Sequence, residues 1–422
     1  MKNSRFLSFL VLLASSLLFI QCTSDLETVQ GPPGADGMDG QDGQDGQDGQ
    51  DGVSTGVGTS TTDLLAKKVF TGPLIDGVID VAWADAQILI APTQVLDPQA
   101  DDGTQVFRGY VGQTQESTLR ALYDDEYIYF LAEWKDEKKH TTRDTWYFDP
   151  ADSSWKQESR WPLFDAAGNI TRDAFYEDKY AMLWDVDNSV DNWSTSSCWA
   201  TCHTGLSVAD GGARHYTTAA GQTVDMWHWK QARTSFYGQF DDQNQNETQP
   251  NGRHSDANDG QAPYTNNAQT LNNGTADVSV PLYFIPGREY YNWITIDEIN
   301  SGEAKMITAV DATGILTYDG GTIDPTDPNS GYHRDGATSG KFGMPSIWVQ
   351  PSNGSRGDIT ATGIYTGSSW ILEFKRKLST GDTTGADVDF SSLEDFPFGI
   401  ATFNNAAIAH ATKANLILKF EE

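Results

Sequence analysis

Thr118-Leu119-Arg120-Ala121-Leu122-Tyr123 runs into Asp124-Asp125, and Tyr127-Ile128-Tyr129-Phe130-Leu131-Ala132-Glu133-Trp134 follows. Period-two alternation puts Leu119, Ala121 and Tyr123 on one face, and an acidic turn between two β-favouring runs reads as an antiparallel hairpin. The same period recurs at Trp370, Leu372 and Phe374, and again at Leu416, Leu418 and Phe420. Long helical patterns are absent. Clusters of Gly, Asn, Asp and Ser separate the runs, and the polar segment from Asp241 to Gly274 reads as a long surface insertion. The expected fold over residues 63–422 is therefore all-β, an antiparallel β-sandwich with long loop insertions.

What precedes that domain is of another kind. Lys2 and Arg5 lead into an almost wholly apolar run from Phe6 to Ile20, which reads as an export signal and is shorter than the roughly 20 residues that span a bilayer. It ends at Leu18-Phe19-Ile20-Gln21-Cys22, which resembles a bacterial lipobox, although Phe19 and Gln21 depart from its tightest form. Residues 1–21 are then a lipoprotein signal peptide, and Cys22 is acylated and carries the membrane anchor. The acidic Asp25-Leu26-Glu27 that follows suggests an outer-membrane or cell-surface lipoprotein, exported through the periplasm. Glycine recurs at every third position from Gly31 to Gly52, a collagen-like stalk that makes residues 22–62 an acidic tether. With proline only at Pro32 and Pro33, trimerisation through this stalk is the less favoured reading. At the roughly 3 Å rise of such chains it would hold the domain several nanometres from its anchor.

Lys and Arg number 28 against 59 Asp and Glu, a formal net charge of −31, which excludes a sequence-independent nucleic-acid binder. With 38% apolar residues the chain has enough to bury a large core. Its three cysteines are too few for a disulfide scaffold, so what matters is where each one sits.

Two of them occur in Cys198-Trp199-Ala200-Thr201-Cys202-His203. Covalent haem attachment needs two thiols that add to the vinyl groups and an adjacent imidazole that ligates the iron. Three residues separate the thiols where two are usual, so a Cys198–Cys202 disulfide and a zinc site remain other readings. One covalently held haem c is the cofactor expected, with His203 as one axial ligand. The second ligand comes from a small pool. His410 lies between the β runs ending at Phe403 and beginning at Asn415, near a sheet end where a cofactor could dock. Met182 lies in the apolar Tyr180-Ala181-Met182-Leu183-Trp184, where a core role competes, while His254 and His333 stand in polar loops.

Several stretches, in order, resemble the haem-binding family of the ethylbenzene dehydrogenase and dimethylsulfide dehydrogenase γ-subunit type, whose c-type members carry Cys-x-x-x-Cys-His. They are Ile75-Asp76-Gly77-Val78-Ile79-Asp80 with Trp83, similar to the family's opening strand and turn, the hairpin already quoted, Tyr176-Glu177-Asp178-Lys179 with Trp184, the Cys motif, Asp225-Met226-Trp227-His228-Trp229-Lys230, Gly354 to Ile359, and Trp370 to Gly381. The resemblance covers nearly all of 65–422. It implies an immunoglobulin-like or DOMON-like sandwich with one haem at a sheet end. It further implies axial ligation by a mid-domain Met and a C-terminal Lys in b-type relatives, stretches that here hold Met182 and His410. His410 is the favoured sixth ligand, with Met182 and His228 as alternatives.

The leading function is thus a membrane-anchored monohaem c-type cytochrome that transfers electrons without bond chemistry of its own. Its partners would be redox proteins with basic surfaces, such as other cytochromes, steered by the acidic field. A carbohydrate- or ligand-binding sandwich without redox activity is one alternative, to which the Cys198, Cys202 and His203 triplet would be of no use. The haem subunit of a molybdenum-containing dehydrogenase is another.

Overall fold

The computed structural model describes residues 58–421 apart from 98–101, 104, 204–213, 258–261, 289–291 and 328–342. The signal peptide, Cys22, the collagen-like stalk and His333 lie outside the described residues. Eleven strands form the backbone of the domain: β1 (Asp63–Lys68), β2 (Ser117–Tyr123), β3 (Tyr127–Lys135), β4 (Lys179–Asp185), β5 (Val224–Lys230), β6 (Asp241–Gln245), β7 (Arg253–Ser255), β8 (Thr360–Tyr365), β9 (Ser369–Lys377), β10 (Phe396–Phe403) and β11 (Ala411–Phe420). They pair in the order β7-β6-β5-β4-β10-β11-β1-β2-β3-β9-β8. The pairing is antiparallel except at β1, which runs parallel to both β11 and β2. No described helix is long and apolar enough to cross a membrane.

This long sheet curls so that its two halves face each other as a β-sandwich. Phe130 of β3 meets Trp227 of β5 with ring centroids 5.8 Å apart, and Trp134 of β3 stacks on Tyr180 of β4 at 5.3 Å. Leu119, Ala121 and Tyr123 enter this core together, as do Trp370, Leu372 and Phe374, so the period-two reading gives the correct faces. Each such aromatic pair adds about 0.5–1.5 kcal/mol beyond the area it buries. The loop insertions are not featureless, since the two that follow β3 and β7 contribute Trp146, Phe148, Val280, Phe284, Ile307 and Leu316 to a second small core.

Two local expectations are corrected. The segment beginning at Asp241 opens with β6, an inner strand of the main sheet whose Asp241, Asp242, Gln243 and Gln245 are buried. Its polarity is tolerated because Asp241 accepts from buried Lys230 and from Arg356, the latter at 2.6 Å, and a buried charge persists where it is paired. The stretch Ile75 to Trp83 holds no strand. It is a bend and a 3-10 turn (Val81–Trp83), pinned because buried Glu373 accepts from Trp83 Nε1 and from the Gly77 amide, both at 2.8 Å.

Candidate functional site

β4 is buried along its whole length, with one set of side chains on each face of the sheet. Tyr180, Met182 and Trp184 point into the main core. Ala181 and Leu183 point the other way, and the strand register builds a platform around them. One row runs His228, Ala181, Ala401, Thr412 across β5, β4, β10 and β11; the next runs Met226, Leu183, Gly399. Ala181 and Ala401 at the middle of the first row, with Gly399 at the end of the second, leave a floor with larger side chains around it. In front lies an open-sided cavity of about 180 Å³, lined mostly by carbon and bordered by Cys198, Cys202, His215, His228, Arg253, Phe403 and His410.

The Cys motif is brought there by the chain that leaves β4. Asp185, at the strand end, accepts from the Val190 amide at 3.0 Å, and buried Trp193 donates its indole N–H to the Pro397 carbonyl at 2.9 Å. A 3-10 turn (Ser197–Thr201) then seats Cys198 and Ala200 against Leu183, Val190, Val224 and Met226. Gly399 makes room for it: a Cβ at that position would lie 3.2 Å from Cys198 Sγ and 3.1 Å from Ser197 Oγ. Cys202 and His203 form a short strand that pairs with Arg214 and His215. The His203 side chain lies outside the described residues, so its expected role is neither supported nor opposed by geometry.

Cys198 and Cys202 are free thiols. Burial pushes Cys198 up to about 12, with Cys202 beside it adding to the shift, and pushes Cys202 up to about 11. Both are therefore neutral thiols in the folded chain.

Two of the cavity imidazoles, His410 and His228, differ in which nitrogen is free. His410 closes the loop after β10, which Asn405 holds by accepting from the Tyr176 amide at 2.8 Å. Its ring packs on Phe403 at 5.0 Å and Phe107 at 5.1 Å, and its Nδ1–H donates to the Ile408 carbonyl at 2.7 Å. A carbonyl only accepts, so this bond fixes the proton on Nδ1 and leaves Nε2 with its lone pair, the tautomer a metal ligand needs. Burial, with Lys179 adding, brings His410 down to about 4, so the ring stays neutral. His228 is the reverse case. Its Nδ1 lies 3.1 Å from Arg253 Nη2, which can only donate, so Nδ1 accepts and the proton sits on Nε2. That Nε2–H is buried without a partner. His228 thus offers a donor to the cavity where His410 offers a lone pair.

Met182 does not reach this cavity. It is fully buried in the sandwich core on the opposite face of β4, which corrects its reading as a candidate ligand. His254 is exposed on β7 and bonded to Asn246, as a surface histidine would be. Two wall residues had no place in the sequence-based site, His215 and Arg253. The pairing of His215 with Cys202 through β structure follows from tertiary folding and leaves no spacing signal.

The sequence profile of the ethylbenzene dehydrogenase family matches residues 80–414, a span that contains the Cys motif and every wall of the cavity. No curated protein matches the chain. Among solved structures, a family 9 carbohydrate binding module from Caldicellulosiruptor kristjanssonii in complex with cellotriose is 9% identical with a TM-score of 0.30, covering 85% of this chain and 94% of that one. A putative carbohydrate-binding protein from Bacteroides uniformis ATCC 8492 is 6% identical with a TM-score of 0.29, covering 86% and 100%.

Proposed function

The chain belongs to the ethylbenzene dehydrogenase family, and from that footing we propose that it is an electron-transfer protein carrying one haem c attached through Cys198 and Cys202. The observation that supports this most is the convergence of two free thiols and a neutral imidazole with an available Nε2 on one apolar cavity. A haem held there would take up and release a single electron.

The residues of the chain have separable tasks in this reading. Cys198 and Cys202 would hold the ring covalently, against a floor where Ala181, Ala401 and Gly399 project little side chain. His410 would offer its Nε2 to the iron, with the ring's orientation set by the Ile408 carbonyl and by Phe403 and Phe107. The buried Nε2–H of His228, which has no protein partner, would be free to donate to a group bound in the cavity. His203 remains the other axial ligand by its place next to Cys202. Acylation at Cys22 and the glycine-repeat tether would hold the domain at the outer membrane or cell surface, where an acidic field steers basic redox partners.

Expression with a c-type maturation system tests this. The matured protein should show the sharp α and β bands of a low-spin haem on reduction. Cys198→Ala and Cys202→Ala should each leave a haem held by one thioether, with a red-shifted α band. Absence of haem bands in folded, matured protein would overturn the reading.

A further inference from the structure

On the core side of the sheet, away from the cavity, Asp225 of β5, Asp242 of β6 and Asp387 of the segment after β9 bring carboxylate oxygens within 4.8 Å of one another. All three are at least nine-tenths buried, with Asp225 and Asp242 fully so. Asp256 and Asp358 border the group, and the Arg376 guanidinium faces it.

The hydrogen bonds at this cluster follow a pattern. Asp225 Oδ2 accepts from Arg376 Nη1 at 2.7 Å and from the Val388 amide at 2.9 Å, while Asp225 Oδ1 is buried with no partner. Asp242 Oδ1 accepts from the Gln243 amide at 3.0 Å, and Asp242 Oδ2 is buried with none. Asp256 has one oxygen bonded to Asn244, and its carboxyl also meets that of Asp387. Asp387 is oriented by Ser355 at 3.0 Å and Thr380 at 2.6 Å. Asp225 and Asp242 are thus each anchored through one oxygen and keep the other buried and unsatisfied beside the cluster. A buried acceptor left unpaired costs about 1–3 kcal/mol and more when charged, so a native cluster of this form calls for a counter-charge.

We propose that Asp225, Asp242 and Asp387 bind one divalent metal ion, with Asp256 and Asp358 at its rim. Two oxygens on opposite sides of a calcium ion, each at 2.3–2.6 Å, stand roughly 5 Å apart, which matches the span of this group. The donors are hard oxygens without sulfur or imidazole, which selects calcium over zinc or copper. Such an ion would tie β5 and β6 to the segments on either side of β8 and β9, directly behind the platform that carries His228 and Met226. This inference does not depend on the haem reading.

The test uses full-length matured protein freed of metal with EGTA. Elemental analysis of the untreated protein should find one calcium per chain. Adding calcium to the stripped protein should raise Tm saturably, because a ligand of the folded state alone stabilises it. Asp242→Asn should weaken calcium binding at least tenfold and flatten the Tm response while the haem spectrum is unchanged. If that variant fails to fold, Asp387→Asn serves the same purpose. No calcium in the untreated protein together with no Tm response after stripping would overturn the proposal. So would full affinity in both variants, since binding would then lie elsewhere, for instance on the acidic tether.

Discussion

At the residue scale the account turns on proton positions. His410 keeps its proton on Nδ1 and His228 on Nε2, so the two should respond differently to substitution. In the matured ferric protein, His410→Ala is expected to shift the absorption and EPR spectra toward high spin with the thioether bonds intact. His228→Gln should leave them low spin, and so should Met182→Leu, which conserves volume and costs under about 1.5 kcal/mol in the core. A low-spin His410→Ala protein would move the ligand assignment elsewhere. A second residue-level effect concerns Asp136, in a cleft shared with Glu137, Lys138 and His140. Burial, then Asp178 beside it, pushes its carboxyl up to about 7, with the backbone amide of Lys138 and His140 opposing. Since the unfolded value is about 3.9, the folded state holds this proton more tightly; the stability it gives is complete below pH 4 and lost as pH rises through 7. Asp136→Asn should therefore be more stable than the wild type at pH 8, on the order of 1 kcal/mol given solvent in the cleft, with the gap closing near pH 4. Denaturant titrations at the two pH values measure it; an equal effect at both would refute the titration argument. Cys198, Cys202 and His410 were legible in the sequence because their chemistry is written in the residue type. His215 and Arg253 were not, because only folding brings them to the cavity.

At the element scale, strand parity decides what faces the cavity. β4 is buried on both faces, so its sequence shows no alternation of polar and apolar residues from which to tell the two sides. Met182 therefore passed as a ligand candidate when parity places it with Tyr180 and Trp184 in the core. The hairpin of β2 and β3 was legible because its turn and its alternation agree. β6 was not, because its burial depends on Lys230 and Arg356 from other elements. The platform itself rests on small side chains in register. Gly399→Val would press on Cys198 Sγ, where a bare Cβ already stands at 3.2 Å. The expected result is sharply reduced haem incorporation with an intact β-sheet circular dichroism spectrum and a loss of about 1–3 kcal/mol from overpacking. Ala401→Phe should do the same by filling the floor. Normal haem yield in both variants would show that the platform is not where the ring sits.

At the scale of the whole molecule, a haem-bearing sandwich would ride on an acidic tether with a formal charge of −31 over the chain. Long-range steering of a cationic partner should then be strong at low salt and weak at physiological ionic strength, as the Debye length falls from about 30 Å at 0.01 M to about 8 Å at 0.15 M. Stopped-flow reduction by a basic cytochrome should slow by tenfold or more over that range; a salt-independent rate would remove electrostatics from partner choice. The family assignment and the sandwich set the frame for these expectations, and the covalent cofactor is the claim on which they depend. The most direct measurement is the intact mass of the protein matured in a c-type haem host, taken after acid-acetone extraction and paired with a pyridine haemochrome assay. The account predicts one haem retained per chain, absent from the Cys198→Ala/Cys202→Ala double variant. A bare polypeptide mass in folded, matured wild-type protein would contradict it.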